Sequence, residues 1–383
     1  MGAPGAECNS KPKAWWISPK REIRRPKKEP SKMSATIDSA ALGIPVELGQ
    51  IGRELKKLWE RDGGVSTRAS LINFAVYGEG AGSMDANTQL LMELTRHHAC
   101  RALLVGYAPE APQPQIRAWI NAHCHLSRAG AKQICCEQIS FLFEGDTSRR
   151  IANILFSNLD SDLPLYLWWQ GEFTEPIDDQ LWAWVDRLIF DSQSWQSPKV
   201  QFALLKESIR RSRSRLILCD LNWTRSLHIR QAIAQMFDHA ENLAMLRELE
   251  TVSILHAPGY ETTALLLAGW LAGQLRLQFQ ERAEAKLCFQ SPEGNKIAFQ
   301  LDSTDGRSIS CCELRSRTSS LRVERDSDGD FFRVEVHLPG DRIYHHLLPA
   351  GSNSTASLLL EEIGGGGRHR VYLKALGITE SLL

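Results

Sequence analysis

Apolar positions follow two rhythms along this chain. Short unbroken runs dominate the first half, and strict alternation takes over near the end. The clearest run is Leu165-Tyr166-Leu167-Trp168-Trp169, with Pro164 at its first position and Gly171 closing it. A missing N–H costs least at a strand's first residue, and a run bounded this way predicts a strand buried on both faces. Adjacent tryptophans on a strand point to opposite faces. One packs into the core, and the other meets a helix, a second domain or another protein. The pattern alone favours a central core strand. The alternative is that one tryptophan serves a binding surface, where this residue is enriched.

Other elements fall around that run. Leu48, Ile51, Leu55 and Leu58 have helical spacing, and Asp62-Gly63-Gly64 ends the helix. Residues 71–77 and 102–107 predict strands flanking a helix over 85–98, a β–α–β unit and hence a parallel pair. Residues 116–126 are ambiguous. Residues 134–143 predict a strand, 147–159 a helix, 178–184 a short helix, 187–191 a buried strand and 199–215 a helix rich in arginine at its end.

Beyond residue 216 comes a helix to about 239, a strand over 248–255 and an apolar helix over 261–278. Then the rhythm changes. Ile297, Phe299 and Leu301 alternate, as do Phe332, Val334, Val336 and Leu338, and Ile343, His345 and Leu347. Asp305-Gly306 and Asp328-Gly329 are hairpin turn signals. Residues 285–348 thus predict an antiparallel meander with one face covered. A closing helix spans 355–363. The expected fold class is α/β: two α/β domains with mixed sheets, over residues 45–215 and 216–383, the second ending in the meander.

Length and composition agree. The chain has 383 residues, 43% hydrophobic and 23% charged, values of an ordinary globular protein. Charge is unevenly placed. Residues 1–32 carry nine of the 45 basic and three of the 45 acidic side chains, leaving the body with 36 basic and 42 acidic. A mildly acidic body argues against nucleic acid as a partner. Residues 1–44 read as a disordered basic tail, of which residues 1–32 are either a misassigned start or a docking arm. No apolar run reaches bilayer-spanning length and no secretory h-region opens the chain, so a cytoplasmic protein without a membrane partner is expected. Nine cysteines, including the vicinal pairs Cys135-Cys136 and Cys311-Cys312, read as reduced thiols, because strand neighbours point apart.

Candidate chemistry is thin. Gly78-Glu79-Gly80-Ala81-Gly82 follows a strand, as phosphate loops do, but fits neither the dinucleotide fingerprint nor a P-loop. His123-Cys124-His125 has no second ligand pair at zinc spacing. Asp326-Ser327-Asp328-Gly329-Asp330 fits a hairpin turn better than a calcium loop. Cys135, Cys136 and Cys219 sit in apolar strands and read as inert core thiols. No catalytic residue, cofactor or metal is expected.

Three motifs in order carry a resemblance. Asp162-Leu163-Pro164-Leu165-Tyr166-Leu167-Trp168-Trp169, Ile134-Cys135-Cys136-Glu137-Gln138-Ile139, and Asp220-Leu221-Asn222-Trp223-Thr224-Arg225 with Arg230 and Ala234-Gln235 resemble the glucose-6-phosphate dehydrogenase assembly proteins (OpcA) of cyanobacteria and actinobacteria. The resemblance covers about residues 45–375. It implies a non-catalytic activator that binds glucose-6-phosphate dehydrogenase, favours its active oligomer and feeds the oxidative pentose phosphate pathway. It also implies redox regulation through thioredoxin, here confined to internal cysteines, because the segment after Lys374 has none. Residue type and resemblance together nominate Trp168, Trp169, Trp223, Arg225, Arg210, Arg211, Arg213 and Arg215 for partner binding. The alternative is an α/β enzyme or sensor that itself binds a sugar phosphate or nucleotide at the 78–82 loop.

Overall fold

The strands that read as continuous apolar runs lie in one sheet, and those that alternate lie in another. The structure, a computed structural model, describes residues 39–60, 66–126, 133–173, 183–211, 216–326, 328–365 and 369–383. The first sheet holds β1 (Ile44–Val46), β2 (Ser66–Arg68), β3 (Ile72–Glu79), β4 (Cys100–Ala108), β5 (Gln115–Leu126), β6 (Gln133–Glu144), β7 (Leu165–Trp169), β8 (Arg187–Phe190) and β9 (Ile217–Asp220). Their order is β1-β5-β6-β4-β3-β7-β8-β9, with β2 alongside β6. From β6 to β9 every pairing is parallel, and β5 and β1 are antiparallel additions. The chain is thus α/β with a mixed first sheet, and the β–α–β unit is β3, helix Met84–His97 and β4. The ambiguous segment is β5.

Side-chain parity divides this sheet's two faces. Ala75, Leu103, Phe141, Leu167 and Phe190 pack on one side with helices Ile51–Glu60 and Pro198–Arg211. Phe74, Leu104, Leu142, Trp168 and Ile189 pack on the other with helices Met84–His97 and Thr355–Gly364. Trp168 and Trp169 obey the rule: Trp168 lies in the second cluster and Trp169 packs against the first.

The second sheet holds β10 (Leu249–His256), β11 (Gln278–Ala283), β12 (Lys286–Gln290), β13 (Lys296–Ser303), β14 (Ile309–Ser316), β15 (Ser320–Arg325), β16 (Phe331–Leu338) and β17 (Arg342–Pro349). Its order is β11-β12-β13-β10-β14-β15-β16-β17, an antiparallel meander into which β10 is inserted. β10 pairs parallel with β13 and antiparallel with β14. One expectation is corrected here. Asp305-Gly306 does not turn a hairpin between paired strands, because β10 occupies the space between β13 and β14. Asp328-Gly329 does sit in such a hairpin, between β15 and β16, with Gly329 at φ 81°. Helix Glu261–Gln274 is buried almost all round, and helix Arg370–Leu382 packs across it. The expected elements end at residue 363 and do not include that last helix. Gly269 makes the crossing possible: a Cβ there would collide with Thr379 Oγ1 and stand 2.8 Å from the Ala375 carbonyl oxygen.

The expected short helix over 178–184 falls mostly outside the described residues, as does the expected tail over 1–44 up to residue 38. The expectation of uniformly reduced thiols is also corrected. Cys124 and Cys135 lie opposite each other on β5 and β6 and form a disulfide, with Cα atoms 4.1 Å apart. Cross-strand opposition, not adjacency in sequence, brings sulfurs together in a sheet.

Candidate interaction surface and the sheet-end network

In an open parallel sheet, ligands sit in the crevice beyond the strands' carboxyl ends. Here, beside β3, β4 and β7, the chain's own side chains fill that end among the described residues. After β3, the glycine-rich turn leads to helix Met84–His97, whose Met84 is fully buried. A Cβ on Gly106 would meet Met84 Sδ at 2.8 Å, and one on Gly78 would meet Gln170 Oε1 at 2.6 Å. Gln170 follows β7 and exchanges amide hydrogen bonds with Asn87: Asn87 Nδ2 donates to Gln170 Oε1 at 2.9 Å, and Gln170 Nε2 donates to Asn87 Oδ1 at 2.8 Å. Beside this pair Tyr77 stacks on Trp169 at 4.0 Å, and Trp169 on Phe173 at 5.6 Å.

Farther along the same edge, the Asp220–Arg225 motif is a junction. Asp220 caps helix Leu221–Arg225 by accepting from Asn222 N at 2.9 Å. It also accepts from Ser192 Oγ at 2.7 Å and Tyr372 Oη at 3.2 Å. Burial and the Asp191 charge push its carboxyl up to about 7, against the hydrogen bonds from Ser192 and Asn222. Asn222 accepts from Thr263 Oγ1 of helix Glu261–Gln274. Trp223 is buried under the Arg230 guanidinium, 3.4 Å from its ring centroid. Thr224 donates to Glu362. Arg225 grips Asp191 with two bonds, 3.0 and 2.7 Å, and lies 5.7 Å from the Tyr260 ring.

The other two motifs are equally internal. Asn73 accepts from Asp160 N at 2.8 Å and donates to the carbonyls of Asp160 and Leu163, 2.8 and 2.9 Å, fixing the entry to β7. Buried Glu137 accepts from Trp59 Nε1 at 2.6 Å and from Arg101 at 3.1 Å. Gln138 donates to Thr88 at 3.1 Å and to Ser140 at 2.8 Å, with His123 Nε2 at 2.7 Å from its carbonyl oxygen.

The nominated residues therefore separate. Trp168, Trp223 and Arg225 are interior, and Trp169 is half-buried. Arg210 is exposed on helix Pro198–Arg211 and pairs with Glu207 one turn back at 2.8 Å. Arg213, Arg215 and the Arg211 side chain lie outside the described residues.

A surface that residue type did not nominate is the outer face of the second sheet. Across it runs the register Lys286, Gln300, Ser253, Glu313, Arg322, Glu335, His345. Arg322 bridges Glu313 at 3.3 Å and Glu324 at 3.0 Å, so opposite charges neighbour each other across the strands. The face ends at β17, whose outer edge pairs with no strand among the described residues. Ile343 and Leu347 of β17 and Phe331 of β16 are exposed on this face, and Tyr344, paired with buried Val336, is exposed on the other side of β17. The alternation in 332–347 contained the signal, since its polar positions had to face somewhere.

Comparison with known proteins places this architecture. Residues 92–207 match the family model for the N-terminal domain of the glucose-6-phosphate dehydrogenase subunit. Residues 217–376 match the model for the C-terminal domain of the same subunit. The chain is 26% identical to the putative OxPP cycle protein OpcA of Synechocystis sp., over 92% of this chain and 78% of that one. It is 23% identical to the putative OpcA of Nostoc punctiforme, over 79% and 69%. Among solved structures, levoglucosan dehydrogenase in complex with NADH aligns with a TM-score of 0.46 at 10% identity, covering 82% of this chain and 94% of that one. An aldose-aldose oxidoreductase from Caulobacter crescentus gives 0.45 at 10%, covering 81% and 96%. No described helix is long and apolar enough to cross a membrane. With both halves matched in order, the chain belongs to the OpcA family of glucose-6-phosphate dehydrogenase assembly proteins.

Proposed function

We propose that this chain is a non-catalytic cytoplasmic partner that binds glucose-6-phosphate dehydrogenase and favours its active oligomer, promoting the oxidative pentose phosphate pathway. The observation that carries this reading is the closed sheet end. Where an α/β enzyme keeps its crevice, Gln170, Asn87 and Met84 fill the space against Gly78 and Gly106. The same filling weighs against a sugar phosphate or nucleotide bound at the 78–82 loop. The mechanism is linkage: a partner that prefers the active state of the enzyme draws the population toward it. A coupling of roughly 1–3 kcal/mol changes apparent affinity about 5- to 150-fold.

In this reading the dehydrogenase contacts the outer face of the second sheet and its β17 edge. Unpaired strand edges accept a partner's backbone, and apolar side chains beside them supply burial. Arg210 is a second candidate contact. The test is to titrate the chain into its cognate dehydrogenase. The sugar phosphate concentration for half-maximal rate is expected to fall, and the two proteins to co-elute. Leu347→Arg is expected to lose both effects with unchanged circular dichroism. Unchanged kinetics and separate elution of the parent chain would sink the proposal. Within it, the Cys124–Cys135 disulfide is the bond a thioredoxin would reduce; equal activation before and after dithiol reduction would remove that part.

A further inference from the structure

We propose that Cys219, Glu362 and His369 form a zinc-binding site. They come from three elements distant in sequence: β9, the last turn of helix Thr355–Gly364 and the residue capping helix Arg370–Leu382. One donor atom from each lies within 4.8 Å of the other two. Cys219 Sγ stands 3.8 Å from His369 Nε2, and Glu362 Oε2 stands 3.3 Å from the same nitrogen. With Zn–S near 2.3 Å and Zn–N and Zn–O near 2.0–2.2 Å, donors around a tetrahedral zinc stand roughly 3.3–3.6 Å apart. The observed spacings lie close to that shell.

A second observation points into the same space. Glu362 is 3% exposed, and among the described residues its Oε2 makes no hydrogen bond of good geometry, with His369 Nε2 standing 3.3 Å away as its ion-pair neighbour. A buried carboxylate oxygen left this way is costly unless a cation meets it. Its other oxygen is held by Thr224 Oγ1, which fixes the carboxylate's direction. Arg187 Nη1 lies 3.7 Å from Cys219 Sγ, donating to the sulfur as an outer-shell group does around a metal thiolate.

The donor set selects the metal. One thiolate, one imidazole and one carboxylate suit zinc better than the hard, all-oxygen ions. Thiolate and carboxylate together neutralise its double charge, which matters because Arg187 and Arg230 are both near. Three protein ligands leave a fourth position for water. The His369 side chain is 22% exposed, the most accessible of the three ligands. The ion would tie the edge of the first sheet to the two C-terminal helices. Without metal, the same atoms would form a His369–Glu362 ion pair beside a neutral thiol.

The experiment uses the full chain without a polyhistidine tag. After desalting, elemental analysis is expected to find one equivalent of zinc. In the stripped protein, cobalt(II) should give an intense tetrahedral d–d spectrum with a thiolate charge-transfer band, a readout that needs no variant. Cys219→Ser and His369→Gln should abolish that spectrum and weaken zinc binding by more than about 10-fold, the least that even an outer-shell change costs. Cys288→Ser should leave both unchanged. Zinc should also raise the melting temperature of the parent chain and not of the variants. Absence of zinc with no cobalt thiolate band would overturn the proposal, as would zinc binding equal in Cys219→Ser and the parent. The metal readouts are independent of any effect on the dehydrogenase, so either proposal can fail alone.

Discussion

β6 buries nine consecutive residues from Cys135 to Phe143, whereas β16 buries every second one. Among the described residues, helices cover both faces of the first sheet and one face of the second. The difference reaches past packing. The described end of the first sheet is stitched by paired amides and carboxylates, while the outer face of the second carries charges that pair with each other, and the outer edge of β17 pairs with no strand among the described residues. A surface can be given to a partner only where the fold does not need it. On the proposed function the first region carries stability and the second recognition, and variants in each should behave accordingly.

The largest effect is expected at Trp168. It is 7% exposed and packs with Ile189 and Cys219 between the first sheet and its helices. Trp168→Ala should cost about 3–5 kcal/mol in urea unfolding. Any loss of dehydrogenase binding should then track loss of folded protein. A variant that melts normally and fails to bind would move Trp168 to the recognition side.

Next comes Arg225, whose side chain is 7% exposed in its two-pronged grip on Asp191. Arg225→Ala leaves a partly buried carboxylate without its partner and should cost about 3 kcal/mol. Arg225→Ala with Asp191→Ala should recover part of that, because the stranded charge is gone. A fully additive pair would mean that the two side chains contribute separately.

Gly78→Ala probes how firmly the sheet end is shut. The new Cβ must displace Gln170 Oε1, which stands 2.6 Å away and is held by Asn87. Losing that amide pair should cost about 1–2 kcal/mol. Gln170→Ala in the same chain should relieve most of it. Equal destabilisation with and without Gln170 would mean that the amide does not fill the crevice.

These three sites also mark what could be read before the fold was known. The apolar run at 165–169 and the alternation at 332–338 announced their sheets, because burial on two faces or one leaves its period in the sequence. The role of the Asp220–Arg225 motif did not follow from residue type. Trp and Arg are common at interfaces, yet they are equally used to close a core when a ring and a guanidinium stack, as Trp223 and Arg230 do. Cys124 opposite Cys135, and Cys219 beside Glu362 and His369, were out of reach for another reason. Their proximity is created by strand register and helix docking, and no spacing along the chain encodes it.

A pH effect belongs to the first region as well. Burial holds the His123 imidazole below its ordinary value, against the hydrogen bond to Gln138, and burial does the same to His98. These two imidazoles take up protons in the unfolded chain before the native one, adding a downward slope to stability as pH drops through about 6.5, opposed by Asp220, whose carboxyl near 7 takes its proton first in the native state. His123→Gln should flatten the slope. A slope unchanged in His123→Gln would assign the loss to other groups.

The smallest effect on folding is expected on the second sheet, and it is the most informative. Arg322 bridges Glu313 and Glu324 at an outer position where its side chain is 39% exposed. Exposed ion pairs contribute little after screening and side-chain ordering, so Arg322→Gln should change stability by less than about 1 kcal/mol, and less again at high salt. Placed in a dehydrogenase interface, the same charge would act through register and encounter rate, where a rim residue changes association and its salt dependence. Arg322→Gln should therefore slow binding to the dehydrogenase while its melting curve overlays the parent's. A melting loss above about 2 kcal/mol would make the charge lattice structural, and the open face would then resemble the closed end of the first sheet. Normal melting with normal binding would move the contact elsewhere, with Arg210 the next position to change.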